Sequence, residues 1–243
     1  MIMKEMFDDA AQGFGDQDIG NPVQPCQTAT RLHDVRLLTE TRSTWTQIKK
    51  ASTTTHHVVA DVSHAWKDEI LDAMRLVEHG DILTWHLHTW FPESEEHKAD
   101  PVASGIVAGT VLPFHSGDHI TTAEFLAALQ VGTPPAAVIM CGCATFQFIP
   151  AVLGAGVAVA FGVGRDPSNG DPNKPPFPTE YAGLQAADSV TAALMNGKTL
   201  ADAADDGSNS LNYGRSPMDQ LIMYFKVRSG LSQSKSLEDN HLL

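Results

Sequence analysis

Cysteine is scarce in this chain: three residues in 243, Cys26, Cys141 and Cys143. An odd number leaves one thiol over in any disulfide scheme, and Cys141 and Cys143 stand one residue apart in an apolar stretch where bridging geometry is poor. Reduced thiols suit the cytosol. Basic residues are also few, 16 Lys and Arg against 29 Asp and Glu, for a net charge of −13. That balance argues against nucleic acid and anionic membranes, since both require basic patches to neutralise phosphate, and leaves a basic protein or peptide as the easier partner. No run approaches the roughly 18 apolar residues of a membrane span. The opening Met-Ile-Met-Lys-Glu-Met-Phe-Asp-Asp lacks the basic-then-apolar order of a signal peptide, so the expected location is cytoplasmic. Two catalytic signatures are missing as well: there is no Gly-x-Ser-x-Gly elbow and no Gly-rich loop running into Gly-Lys-Ser/Thr.

What is present fits one α/β domain. Apolar residues make up 42% of the chain, and 243 residues can bury a full core without splitting in two. The first thirty or so residues hold Gly, Gln, Asp and Pro with little periodicity, so residues 1–56 read as an irregular or mobile lead-in with room for a helix. Residues 57–230 read as the α/β domain, and 231–243 as a C-terminal tail. Val58 to Val62 has strand character, Ser63 can cap the next helix, and Trp66, Ile70, Ala73, Met74 and Val77 recur at helical spacing as a core stripe. Thr121-Thr-Ala-Glu124 is a capping box before Phe125, Leu126 and Leu129. Pro134-Pro135 then delivers the chain into Ala136 to Met140, apolar at every position, as expected for a strand covered on both faces. A second such run spans Gly156 to Val163. The alternation is that of a doubly wound parallel sheet. Arg165 to Pro178, rich in Pro, Gly, Asn and Asp, reads as a long loop at a strand end.

Two segments carry chemistry. Asp81-Ile-Leu-Thr-Trp-His-Leu-His88 and Ala136-Ala-Val-Ile-Met-Cys-Gly-Cys143 each read as an apolar strand ending in a reactive side chain, one offering an imidazole and the other a thiol. A thiol attacks only as thiolate, and an adjacent imidazole can take its proton and later return it to a leaving group. The residues between the two segments leave room for a crossover, which would bring the strand ends side by side at the edge where open parallel sheets gather their chemistry. Each residue also has an ordinary reading. A Cys in an apolar strand is usually an inert buried hydrophobe. Cys141, two residues back, reads as structural. His86 and His88 could be hydrogen-bonded core imidazoles between Trp85 and Trp90. His-x-His and Cys-x-Cys on adjacent strands could together ligate zinc, although structural zinc pairs usually have two to four residues between cysteines. His115, His119, Asp100 and Asp171 read as solvated loop residues, and Asp166 follows the strand after the thiol.

These segments resemble the CHAT domains, relatives of the caspases and separases. The helix reading Ala65 to His79 leads into Asp81-Ile82-Leu83, and the catalytic histidine position of that family falls on His88. Gly142-Cys143-Ala144-Thr145 is similar to its small residue, nucleophile, variable residue and Thr. Gly117 to Glu124 resembles its turn into a helix, Ala155 to Ala160 the strand after the nucleophile, and Met195 to Leu200 with Ala203 its helix junction. Ser216-Pro217 and Leu221 to Val227 resemble its closing element. The resemblance covers about Val58 to Gly230. It implies a caspase-hemoglobinase-like doubly wound, mostly parallel sheet with helices on both faces. It also implies an intracellular cysteine endopeptidase acting on a protein or peptide, with no cofactor or metal and with a regulatory protein partner. His88 would be general base and then acid, Cys143 the nucleophile, and the backbone N–H groups of Cys143 and Thr89 the oxyanion donors. Asp166 would line the pocket for the residue before the cut. Two positions depart from the family pattern: Thr89 stands where it has Gly after the histidine, and Thr84 where it has an earlier His. A catalytically silent interaction module of the same family, and a metal-binding α/β module, are the alternatives.

Overall fold

The computed structural model describes residues 33–39, 56–63, 71, 74–75, 77–86, 106–108, 120–169, 178 and 180–243. Six strands form one sheet: β1 His33–Thr39, β2 His56–Ser63, β3 Ile82–His86, β6 Ala137–Cys141, β7 Val159–Arg165 and β8 Leu221–Val227, in spatial order β2-β1-β3-β6-β7-β8. All neighbours are parallel except β8, which runs antiparallel to β7 at one edge. Two short strands, β4 Ile106–Ala108 and β5 Ile120–Thr121, pair antiparallel as a separate ribbon. The chain is thus an α/β fold built on a mostly parallel mixed sheet. Among the described residues no helix is long and apolar enough to cross a membrane.

Side-chain alternation along the strands divides the core into two layers. Val138 and Met140 of β6, with Leu83 and Trp85 of β3, pack on Leu71, Met74 and Val77, on α1 Thr122–Val131 through Phe125, Ala128 and Leu129, and on α2 Ile149–Gly154 through Ile149 and Val152. Ala137, Ile139 and Cys141 point the other way, with Ile82, Val159, Phe161 and Val163, onto α3 Glu180–Met195 and α4 Leu200–Leu211. Every residue of β6 is fully buried, which explains its unbroken apolar sequence. The steps from β2 to β3, β3 to β6 and β6 to β7 all advance in one direction across the sheet. The described helical residues between those strands lie on one face, as a constant crossover hand requires.

Local signals behave as the sequence suggests. Thr121 and Glu124 form the reciprocal capping box: Thr121 Oγ1 accepts from Glu124 N at 3.2 Å, and Glu124 Oε2 accepts from Thr121 N at 2.9 Å. α3 ends before Gly197, whose φ of +72° suits a residue without Cβ, and Thr199 caps α4 by accepting from Asp202 N. The antiparallel edge strand is partly closed by α4. Asn212 donates to the Leu221 carbonyl at 2.7 Å and accepts from Leu221 N at 2.8 Å, while Ser208 Oγ accepts from Met223 N. These side chains occupy backbone groups that an edge strand would otherwise present to another chain.

Two boundaries drawn from sequence move. β1 lies inside the region 1–56 read as an irregular lead-in, yet it sits between β2 and β3 and pairs with both. Its His33-Asp-Val-Arg-Leu-Leu-Thr39 sequence carries three polar or charged residues before its apolar pair and no flanking Gly or Pro turn, so pairing on both sides, rather than local pattern, makes it a strand. The segment 231–243 is no detached tail. Leu237 and Leu242 are buried against the α3 and α4 layer, and the carbonyls of Lys235 and Gln233 accept from Leu200 N and Ala201 N at the start of α4. Asn240 holds this loop shut through Ser232 N, Ser232 O and Ser236 O.

Candidate functional site

β3 and β6 are parallel neighbours in register, Ile82 with Ala137 through His86 with Cys141. The start of the pair is fixed by Asp81, fully buried, whose carbonyl accepts from Ala136 N at 2.9 Å and whose carboxylate accepts from Glu78 N at 2.7 Å. At the carboxyl end of β6 the chain leaves the sheet at Gly142, turns through Cys143 and Ala144, and enters a 3₁₀ turn, Thr145–Phe148, that leads into α2. Ala144 adopts φ 51°, ψ 29°, a left-handed conformation that is strained for a residue with a Cβ. This sharp reversal sets Cys143 at the tip, partly exposed, while Cys141 two residues earlier is fully buried. Burial pushes the Cys141 thiol far above its ordinary range, because the anion would be desolvated with nothing to offset the loss. Cys141 is thus the inaccessible thiol of the pair, as its deeper position suggests.

The tip is held by Thr145, whose side chain is fully buried. Its hydroxyl donates to the Met140 carbonyl at 2.7 Å and more weakly to the Gly142 carbonyl at 3.3 Å, and it accepts from Val163 N at 2.9 Å. β7 makes room for the turn with two glycines. A Cβ on Gly162 would lie 2.7 Å from Phe146 N, and one on Gly164 would lie 2.7 Å from Phe146 Cδ1 and 2.9 Å from Tyr224 Cε2. The Phe146 and Tyr224 rings pack with centroids 5.0 Å apart, and Tyr224 donates its phenol proton to the Arg165 carbonyl at 2.8 Å. Burial first, and the charge of Asp166 second, raise the Tyr224 phenol above its usual value. Gly162, Tyr224 and the role of Thr145 are not legible in the sequence alone. The one available signal is two glycines at alternate positions of a strand that is otherwise apolar.

Asp166 follows β7 at the same end of the sheet. Its carboxylate accepts from Ser168 N at 2.8 Å, capping the 3₁₀ turn Pro167–Asn169, and this bond holds the carboxyl below its ordinary value. The residue is partly exposed. Across from it, Asp166 N donates to the Gln220 carbonyl and Arg165 Nη2 to the Met218 carbonyl, stitching the loop after β7 to the loop before β8. Tyr213 and Met218 stand exposed on that second loop. Thr84, where the resemblance would place an earlier histidine, is buried and shares a 2.6 Å hydrogen bond with Thr191 of α3, which donates onward to the Ala187 carbonyl. It serves the sheet–helix contact.

The structure therefore brings Cys143 and Asp166 to one end of the sheet, just past the ends of the adjacent strands β6 and β7, with the end of β3 beside β6 on its other side. His88 and Thr89 lie outside the described residues, as does the side chain of His86. His88 follows the last residue of β3 by two positions, just as Cys143 follows the last residue of β6 by two. Among the described residues no group of three or more His, Cys, Asp or Glu side chains is arranged to hold a metal ion. The chain matches no protein-family model and no curated protein.

Proposed function

We propose that this protein is a CHAT-like cysteine endopeptidase that cuts a protein or peptide substrate in the cytoplasm, with a protein partner as its regulator. His88 is the general base and then the acid, and Cys143 is the nucleophile. One observation carries the reading: β3 and β6, the strands that run toward His88 and Cys143 in the sequence, are adjacent, parallel and in register, and their carboxyl ends lie side by side. Open parallel sheets place their chemistry at that end of the strands. The turn after β6 adds support, since it exposes Cys143 while Cys141 stays buried. In the proposed cycle His88 takes the Cys143 proton, the thiolate attacks the scissile carbonyl, and the oxyanion is held by the N–H groups of Cys143 and Thr89. The proton then passes from His88 to the leaving amine, and water hydrolyses the thioester. Thr89 in place of Gly favours a second reading, a silent module of the same family that binds its partner without cutting it. A β-branched residue fits poorly wherever the backbone must take a positive φ.

The deciding experiment is labelling by iodoacetamide or an acyloxymethyl ketone at neutral pH, with the modified peptides mapped by mass spectrometry. Cys143 should react well before Cys141, and His88→Ala should slow it. Equal slow reaction of both thiols, unaffected by His88→Ala, would refute the peptidase reading.

A further inference from the structure

Where β6 turns away from β7, each strand has a backbone group left to pair. The last register pair between them is Met140 with Gly162. Just beyond it, the Met140 carbonyl and the Val163 N–H both point to the Thr145 hydroxyl, which donates to the first and accepts from the second. A hydroxyl has one proton to give and lone pairs to receive, so it can close this gap where a methyl could not. The same hydroxyl reaches the Gly142 carbonyl, directly before Cys143. Three backbone segments therefore meet on one side-chain oxygen: the end of β6, the bend that carries Cys143, and β7.

We infer that Thr145 is a positioning residue for the Cys143 thiol, its hydroxyl fixing the angle at which the turn leaves the sheet; the inference rests on Cys143 being the nucleophile. The neighbouring geometry gives the bridge its leverage. Ala144 is held in a left-handed conformation between Cys143 and Thr145, and the following turn lies against Gly162 with no space for a Cβ. The turn is thus pressed against β7 from one side and tied to it through Thr145. Without the tie, Ala144 can relax toward the right-handed region, and the tip bearing Cys143 rotates away from the end of β3. Thr145 touches no reacting atom in this account.

The test compares Thr145→Val, which keeps the shape and removes the hydroxyl, with Thr145→Ser, which keeps the hydroxyl and removes a methyl. Iodoacetamide labelling of Cys143 should slow by about tenfold to a hundredfold in Thr145→Val, the scale of a reacting group misplaced by about an ångström, and should stay within about twofold of wild type in Thr145→Ser. Cys141 provides an internal control, since a protein that is merely loosened would label faster there. Unchanged Cys143 labelling in Thr145→Val, faster Cys141 labelling in that variant, or no rescue by Thr145→Ser would each overturn the inference. If Thr145→Val does not fold, Thr145→Ala is read against Thr145→Ser in the same way. Hydrogen exchange at the Val163 amide gives a readout independent of the thiol: it should accelerate in Thr145→Val, and if it does not, the bridge is absent whatever Cys143 does. A wild-type Cys143 that reacts no faster than Cys141, alongside an accelerated Val163 amide, would instead remove the peptidase reading and leave the bridge as a fold element only.

Discussion

Replacing Gly162 by alanine tests how closely the Cys143 turn is packed on β7. The added Cβ would stand 2.7 Å from Phe146 N, 2.8 Å from Phe146 Cα and 2.8 Å from the Thr145 carbonyl carbon. Comfortable contact between carbons begins near 3.5 Å, so the turn must retreat by about 0.7 Å. All three atoms belong to the main chain, so no rotamer change relieves the clash. Retreat also lengthens the bond from Val163 N to Thr145 Oγ1, 2.9 Å in the native structure. Overpacking of this kind costs about 1–3 kcal/mol, and the reduced freedom of the unfolded chain returns about 0.4–1 kcal/mol. The middle of the two ranges leaves a net loss of about 1.3 kcal/mol, which corresponds to a melting point about 3–5 °C lower in a chain of this size. Gly154 is the control, because a Cβ there meets no heavy atom within 4 Å and the residue lies in α2. Gly154→Ala should hold or raise the melting point in the same thermal denaturation followed by circular dichroism. A Gly162→Ala variant as stable as wild type would show that the turn does not rest on β7 as described.

Four other outcomes are expected. Cys143→Ala and His88→Ala should each remove most turnover of a cleaved partner protein, and the double variant should lose little more, because residues acting as a unit are strongly non-additive; additive losses, read from fragments by mass spectrometry, would argue against a dyad. Asp166→Asn should erase a preference for Arg or Lys before the cut, a preference held to at most about fivefold by the partial exposure of the carboxylate, and a peptide library cleaved with unchanged preference would remove Asp166 from the pocket. The Ser168 N–H holds the folded-state value of Asp166 below the unfolded one, so its cap contributes fully above the ordinary Asp range and fades as pH falls through the folded value. The melting-point gap between wild type and Asp166→Ala should accordingly close below about pH 4. Asn212→Ala should cost about 1–2 kcal/mol by removing both partners of Leu221 at the edge of β8, and hydrogen exchange at the Leu221 amide should rise.

Much of the architecture is written in the sequence where local pattern and tertiary role agree. The apolar run at Ala136 to Met140 reads as a strand covered on both faces, and it lies in β6, Ala137–Cys141, every residue of which is buried. The capping box at Thr121 to Glu124 fixes the start of α1 because all of its partners lie within four residues. The closing strand, expected at Leu221 to Val227, has those bounds. Prediction from pattern fails where the structure is decided from outside the segment. β1 takes its pairing from β2 and β3 and shows a mixed polar sequence, and residues 231–243 are ordered by Leu237, Leu242 and Asn240 reaching a layer that no period of 2 or 3.6 would reveal.

At the site, the same division separates the named residues from those that place them. Cys141 and Cys143 are alike in sequence, yet two positions of chain separate their surroundings: one lies buried in the α3 layer, where desolvation raises its thiol pKa, the other past the point where β6 ends and partly exposed. That split depends on Gly142, on the left-handed Ala144 and on Thr145, none of which carries the chemistry, and on two glycines of a neighbouring strand that leave room for the turn. Residue type can suggest a nucleophile, because thiols are few and their reactivity is known. The local chain cannot show fully how such a residue is held, because part of what holds the turn, Val163 N and the two glycines, belongs to β7. The register of β3 against β6 works the same way: Asp81 bonds Ala136 at the far end of the strands, and the register sets His86 opposite Cys141 at the other end. A one-residue slip would pair His86 with Met140 or Gly142 and turn the alternate faces of the two strands against each other. The buried Asp81 clamp is therefore as much a determinant of the proposed dyad as the strand ends themselves.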